Sequence, residues 1–457
     1  MFAGGDSEKN NGGSAFKNAR LNYFGRVNYN FMEKYMLEFV WRYQGSYIFD
    51  EASRYGFFPG VSVGYRISEE NFWKDNIKFI NNFKIRASYG QTGNDQIDEW
   101  QYLSSYGFSG NPFITNGSEA NKALFESIIP NKNVTWEVAN QGNIGFDADM
   151  LDGKLMLTAD YFEYRRSQIL WWKNASVPAS AGLSLPRENI GKVSNKGFDY
   201  SITYRTDLSN LKLQVGLNGG YQKNKIIYWD EPAGAPEYQL STGHPMNTGL
   251  YYKSIGIFRD QAAVDNYPHL PGARSGDIIF EDVNGDTQID ANDQVRIDKT
   301  NIPTYTTGLS LNLQWKGFDF STLFQASFGA MRYINTESGE IGNYLKDFYD
   351  NRWTVDNPDA SYPRTFNRDN VYWRPRANTF WMHKTDNLRL KNIELGYSLP
   401  SNLIHKISIQ NLRVYVSGYN MFTFTPDLKD FDPEQARNDG QGYPLQKIVN
   451  FGVNVTF

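Results

Sequence analysis

The chain predicts an all-β fold, an antiparallel transmembrane β-barrel. Three observations carry this. Apolar and polar residues alternate with period two in run after run. The turn chemistry between adjacent runs keeps their apolar faces together. The connections alternate between short and very long.

The runs are taken in order. Leu21, Tyr23, Gly25, Val27, Tyr29 and Phe31 form one face of the first, with Asn22, Arg26, Asn28 and Asn30 opposite. Tyr35, Leu37, Phe39, Trp41 and Tyr43 alternate with Glu38, Arg42 and Gln44. Ile144, Phe146 and Ala148 lead to Met150. Across "MLDGKL" this face continues into Leu155, Leu157, Ala159 and Tyr161, with Asp152-Gly153 in the turn. Tyr305, Leu309, Leu311, Leu313 and Trp315 alternate with Thr306, Ser310, Asn312 and Gln314. In "WKGF", Lys316-Gly317 makes a two-residue hairpin loop, so Trp315 and Phe318 become a cross-strand pair. Phe318, Phe320, Phe324, Ala326 and Phe328 follow on that face. Near the end the phase shifts: Leu388 and Leu390 are even, Ile393, Leu395 and Tyr397 odd. A bulge at Lys391-Asn392 restores the face. The last run, "VNFGVNVTF", carries Val449, Phe451, Val453, Val455 and Phe457 on one side up to the terminal carboxylate.

Roughly 13 main strands result, an order-of-magnitude count from the alternation. Short connections fall near residues 32–34, 67–78, 152–153, 207–210, 316–317 and 400–408; long ones near 45–58, 91–133, 165–196, 225–301, 330–386 and 421–447. Short periplasmic turns and long external loops are the outer-membrane arrangement. With Phe457 at the periplasmic rim, every short turn counts back to the periplasm, and the chain begins in an external loop.

Composition agrees. The 457 residues include 30 Tyr, 31 Phe and 11 Trp, yet mean hydropathy is −0.58. Aromatics in a polar average suit strands with one greasy face rather than two. The chain has no cysteine, which excludes disulfides, thiolate metal sites and cysteine nucleophiles. A net charge of −4 gives no basic footprint for nucleic acid. No apolar run approaches the ~20 residues of a transmembrane helix. "MFAGGDSEKNNGGSAF" lacks a basic n-region and an apolar h-region, so Met1 is not expected to be the natural start of an exported protein.

One motif carries metal chemistry. In "DVNGDTQIDAND", Asp282, Asn284, Asp286, Gln288, Asp290 and Asp293 occupy positions 1, 3, 5, 7, 9 and 12 of an EF-hand-like loop. Such spacing folds hard oxygens round one Ca²⁺ (or Mg²⁺), with position 7 giving its backbone carbonyl. Ile289 fits as the apolar anchor. The loop resembles that of a dockerin, but Thr287 stands where glycine normally turns and Asp293 is shorter than the usual glutamate. The alternative is an acidic external loop without an ion. Catalysis finds no support: His244, His269, His383 and His405 form no HExxH pair, and "GLSLPRENIG" is no nucleophile elbow. Glu137 and Asp147 are more simply lumen-facing residues.

Nine stretches carry a resemblance over nearly the whole chain. They are "RYGFFPGVSVGY", "FKIRASYGQTGN", "WEVANQGNIGFDADMLDGKLMLTADYF", "ENIGKVSNKGFDYSITY", "GDIIFEDVNGDTQIDANDQ", "PTYTTGLSLNLQWKGFDFSTLFQ", "RWTVDNPDASYPR", "NLRLKNIELGYSLP" and the terminal "VNFGVNVTF". Together, in this order, they resemble the C-terminal part of a SusC/RagA-type TonB-dependent transporter from the Bacteroidetes outer membrane. The resemblance implies a barrel of about 22 strands closed by a plug. Residues 1–457 would be its C-terminal part, with long extracellular loops; the plug, the TonB-contacting segment and the first strands are expected to lie outside this chain. It also implies a SusD-like surface lipoprotein as lid, TonB acting through the missing N-terminal part, outer-membrane lipid around the wall, and oligosaccharides or peptides as cargo. A terminal aromatic such as Phe457 resembles the signal read by the outer-membrane assembly machinery.

The external segments hold Trp171, Trp172, Tyr372, Trp373, Phe380 and Trp381, with Arg374 and Arg376 among them. They are expected first as girdle rings or lid contacts, with sugar stacking the alternative. No substrate residue is assigned. The function expected is nutrient import without bond chemistry. A passive porin and a secreted β-rich glycan-binding protein are the alternatives, separated by an upstream plug and by detergent extraction.

Overall fold

The computed structural model describes residues 15, 17–108, 113–115, 119–121, 124–173, 185–334, 345–365, 377–404, 409–428, 430–435, 443 and 445–457. Thirteen long strands form one sheet: β1 (Arg20–Phe31), β2 (Tyr35–Ser46), β3 (Tyr55–Arg66), β4 (Ile80–Asn94), β5 (Glu137–Met150), β6 (Leu155–Trp172), β7 (Arg187–Leu208), β8 (Leu211–Tyr228), β9 (Tyr305–Trp315), β10 (Phe318–Phe328), β11 (Asn387–Ser398), β12 (Asn411–Phe424) and β13 (Ile448–Thr456). Each pairs only with its sequence neighbours, always antiparallel, so the sheet is an up-and-down meander. Where no water reaches the backbone, every N–H and C=O must be met by an adjacent strand, and this topology does so with the shortest connections.

The register tests the expected faces. Trp315 pairs with Phe318, and the loop between them holds Lys316 at φ 47° and Gly317 at φ 88°. Both left-handed positions match the strand twist of a two-residue hairpin. Met150 pairs with Leu155 as expected, but the turn takes residues 151–154. It is closed by the Lys154 N–H donating to the Leu151 carbonyl at 3.3 Å. The expected bulge sits at Lys391: Leu390 pairs with Phe324 and Asn392 with Leu323. The even apolar set of β11 therefore passes into its odd set on one face.

Several expected long connections are shorter than predicted. β6 runs to Trp172 and β7 starts at Arg187, so residues 165–172 and 187–196 are ladder rather than loop. A bulge between Arg166 and Ile169 broke the alternation of the first, and the polar composition of the second hid it. A strand that continues beyond the bilayer needs no greasy face, because only its backbone must pair.

The two faces of the sheet differ in kind. One carries Val27, Tyr29, Leu37, Val63, Ile144, Tyr161, Phe198, Leu309, Leu395, Phe451 and Val453, all large and exposed. Register joins these into belts: Tyr29, Leu37, Val63 and Ala87 align, then Ile144, Tyr161, Phe198 and Tyr221. Such a belt is stable only against lipid. No helix among the described residues is long and apolar enough to cross a membrane.

The fully buried rings lie in the external segments instead. Tyr252, Leu270, Ile278, Phe280 and Ile289 from residues 229–304 pack with Phe348 and Trp381 from residues 329–386. A second core joins Ile48 and Phe49 to Phe58, Val134 and Trp136. Short ladders stiffen the first: Leu250–Tyr252 with Gln294–Arg296, Ser254–Ile257 with Ile278–Phe280, and Met331–Tyr333 with Met382–Lys384.

Candidate functional site: the lumenal wall and the external loop cores

Opposite the lipid belt, polar side chains form rows across the strands. Arg86, Gly145, Asp160, Asp199, Gly220 and Thr306 stand side by side on β4 to β9. Arg86 reaches Asp160 with two bonds, at 2.6 and 2.7 Å, and donates from Nε to Asp147 at 3.0 Å. Gly145 makes room for this fork, since a Cβ there would lie 2.4 Å from Asp160 Oδ1. A second fork joins Arg413 to Glu394 at 2.6 Å and to Asp319, across a gap that Gly396 leaves open. Arg166 grips Glu137. Asp147 and Glu137 thus lie on the polar face, as expected.

Between these charges the row Gln141, Tyr164, Asn195 and Asn224 offers amides and a phenol. Near the long-loop rim a cavity of about 420 Å³ takes in Tyr164, Arg166, Asn195 and Asn224 beneath Met246 and Asn247 of the loop above. The wall supplies hydrogen-bond donors and acceptors from amides, a phenol and paired charges.

The acidic loop is ordered by its own side chains. Asp282 accepts from Gly285 N at 2.8 Å and Thr287 N at 2.9 Å. Asn284 accepts from Asp286 N and Asp286 from Gln288 N. Asp290 and Asp293 form a capping box on the 3₁₀ turn Ala291–Asp293, and Asp293 also takes Val283 N at 2.9 Å. Thr287 adopts φ 66°, the left-handed turn that glycine would make without cost. Ile289 is buried in the larger external core, as an anchor residue should be. Among the described residues no group of three or more His, Asp or Glu is placed to hold a metal ion. Six oxygens at ion-binding spacing are thus present in sequence, while the carboxylates face backbone N–H groups.

The aromatic candidates divide. Trp381 is wholly buried and Phe380 packs on the same core, so Trp381 is not a stacking surface for a ligand. Trp171 lies 3.9 Å, centroid to centroid, from Trp229 at the root of the long loop. Trp172 is half exposed under the Arg187 guanidinium at 4.8 Å. Tyr372, Trp373, Arg374 and Arg376, like His405, lie outside the described residues. His244 pairs with Asp298 at 2.5 Å, and His383 lies 3.6 Å from Asp427. Phe457 follows β13 and is exposed beyond the last ladder pair.

Sequence reasoning missed the clasp between the two largest loops. Asp277 is fully buried, accepts from Arg274 N at 2.8 Å and pairs with Arg364 at 2.8 Å. Burial pushes its carboxyl above the usual range, against the opposing pull of Arg364. The backbone joins as well, Arg364 N donating to Gly276 O at 2.8 Å. Burial pushes the neighbouring Tyr362 phenol up to about 12, helped by its bond to Asp347. The signal available was Asp277 in "SGDII" and Arg364 in "YPR", opposite charges far apart in sequence that no local pattern connects.

Comparison with known proteins matches this architecture. A family described as "TonB dependent receptor-like, beta-barrel" matches residues 2–331. TonB-dependent receptor P3 of Formosa agariphila is 29% identical over 96% of this chain and 45% of its own length. TonB-dependent receptor SusC of Bacteroides thetaiotaomicron is 26% identical over 97% of this chain and 44% of its own. The RagAB peptide importer in its open-open state superposes with a TM-score of 0.76 at 24% identity, over 96% of this chain and 47% of that one, a likeness of fold. The chain spans less than half the length of these curated relatives. With a lipid-facing belt, a polar inner wall and 13 meandering strands, the chain belongs to the TonB-dependent receptor-like β-barrel family of the outer membrane.

Proposed function

We propose that the chain supplies wall and external loops to a TonB-dependent importer that takes up oligosaccharides or peptides with a SusD-like surface lipoprotein. One observation supports this most: the wall is polar and charge-paired on the inside while the external loops carry their own buried cores. A porin mouth has no need of two loops packed around seven buried residues. The relatives named SusC and RagAB favour the same assignment, and the latter is described as a peptide importer.

The test is uptake by the host bacterium. Labelled oligosaccharides and peptides are offered to cells with the gene intact, deleted, or intact with TonB inactivated. Loss in both altered strains supports import; uptake that survives TonB inactivation indicates a passive pore and refutes the proposal. Co-purification of the tagged full-length protein with a surface lipoprotein tests the partner.

Two smaller proposals accompany it. Asp282, Asn284, Asp286, Gln288, Asp290 and Asp293 bind Ca²⁺ or Mg²⁺, supported by their spacing and by the left-handed Thr287; the carboxylates would have to turn from their present N–H partners. Phe457 acts in assembly, supported by its place at the end of the last strand.

A further inference from the structure

The connection between β3 and β4, residues 67–79, is short-rim but not a simple turn. A 3₁₀ turn, Ile67–Glu69, leads into a helix, α1 (Asn71–Asn76), before β4 begins. Phe72 on this helix and Phe79 after it are 57% and 59% exposed. Two exposed phenylalanines in one polar connection form an apolar edge that gains by leaving water.

The contacts of the turn say on which side of the wall it lies. Trp73 stacks on Phe83 with centroids 5.2 Å apart and planes 6° apart. Phe83 belongs to the outer belt: it pairs with Ala148, which pairs with Leu157. Its neighbours Lys84 and Asn82 project to the opposite, lumenal face. Glu70, just before α1, accepts from the Tyr35 and Tyr65 hydroxyls at 3.1 and 3.2 Å. Those two rings stack at 5.1 Å on the same outer belt, in register with Ile85. Glu70 also holds Lys34 at 3.1 Å. The turn is thus fastened to the lipid-facing rings by one indole stack and two phenol bonds. The Leu151 N–H donates to the Phe79 carbonyl at 2.9 Å, which sets exposed Leu151 of the next turn beside Phe79.

We propose that residues 67–79 are a membrane-interface anchor whose partner is the phospholipid surface at the short-turn rim. Phe72, Phe79 and Leu151 sit at the boundary between headgroups and acyl chains, and Lys78 lies level with the phosphates, while Lys74 is held by Glu69 at 2.6 Å. Continuity decides for lipid over a protein partner. The apolar rim extends a belt already in the bilayer, and rings at this depth are the ones that interfaces favour. The anchor fixes how deep the wall sits at β3–β5, independently of the strands' own hydrophobic height.

Residues 1–457 hold no cysteine, so a single label within them is clean once any cysteine elsewhere in the full-length protein is replaced. Phe72→Cys, Phe79→Cys and Asp75→Cys are each coupled to an environment-sensitive fluorophore in the full-length protein. Each is reconstituted in phosphatidylethanolamine–phosphatidylglycerol vesicles. Labels at 72 and 79 are expected to be quenched by shallow spin-labelled lipid at least twofold more than by aqueous iodide, and the label at 75 the reverse. Iodide quenching at 72 and 79 equal to that at 75 overturns the proposal. So does a blue-shifted label that neither quencher reaches, which would mean a protein cover. If a labelled variant does not assemble, Leu151→Cys carries the same expectation and the same refutation.

Discussion

The clasp between the external loops gives the most exacting prediction. Arg364→Met removes the cation that faces Asp277 and leaves a carboxylate with no exposed surface. Breaking one side of a buried pair costs about 3–5 kcal/mol, or roughly two to three and a half decades in the opening equilibrium at about 1.4 kcal/mol per decade. The pH dependence identifies the cause. The Asp277 carboxyl already lies above its usual range because of burial, and losing Arg364 moves it further up. A group whose folded pKa is raised contributes stability at low pH that is lost as pH rises through that value. The variant is therefore expected to open most at pH 8 and to recover as pH falls toward about 5, closer to the ordinary aspartate range near 3.9. Hydrogen exchange over residues 250–296 reads the opening locally while the strands serve as internal control. Adding Asp277→Asn to Arg364→Met should restore most of the protection at pH 8, since the buried charge is gone. Equal protection of the single variant at pH 8 and pH 5, or a double variant no better than the single, would refute the reasoning.

Three further outcomes are expected. A Cβ at Gly197 would meet the Tyr221 carbonyl oxygen at 2.1 Å and the Phe162 ring at 2.5 Å; Gly197→Val should abolish heat-modifiable, assembled protein, whereas Gly153→Ala, open to solvent, should cost about 1 kcal/mol for its left-handed φ and still assemble. Removing Phe457 should lower the yield of inserted protein several-fold without changing the melting of what does insert, and unchanged yield would exclude an assembly role. Calcium at millimolar concentration should slow proteolysis within residues 282–293, and Asp282→Asn with Asp286→Asn should remove that effect; no protection in the parent chain would leave the loop a self-capped turn.

The wall was legible because a barrel strand writes both its solvents into alternate residues. Trp315 and Phe318 were expected as a pair from two turn residues, and Lys391 as a bulge from a single change of phase; both are present. The strand extensions at 165–172 and 187–196 were not legible, since above the membrane the outer solvent is water and the alternation loses its contrast. The loop cores were hidden for another reason. Tyr252, Phe348 and Trp381 meet only after long stretches of chain return, and nothing local marks them as inward. Trp381 was accordingly expected at a surface, yet no part of it is exposed. Asp277 and Arg364 pair over 87 positions, beyond any periodicity. Ile289 was the exception, because the spacing of the acidic loop itself demands an anchor there.

These two kinds of legibility reflect two separate sources of stability. The strands hold few buried rings, and their large side chains gain by facing hydrocarbon, so the wall depends on lipid and on a complete ladder of backbone bonds. The external loops obey the rules of a soluble domain: two apolar cores, a buried ion pair, a capping box and short ladders. The first core is built from two loops rooted on β8–β9 and β10–β11, so they hold each other as much as the wall holds them. A substitution inside that core, such as Trp381→Ala at about 3–5 kcal/mol, should therefore loosen both loops together and leave the register of β9 and β10 unchanged. Hydrogen exchange on that variant decides it: deprotection confined to residues 229–304 alone would mean that the loops are independent, and deprotection spreading into β9 and β10 would mean that wall and loops share one source of stability after all.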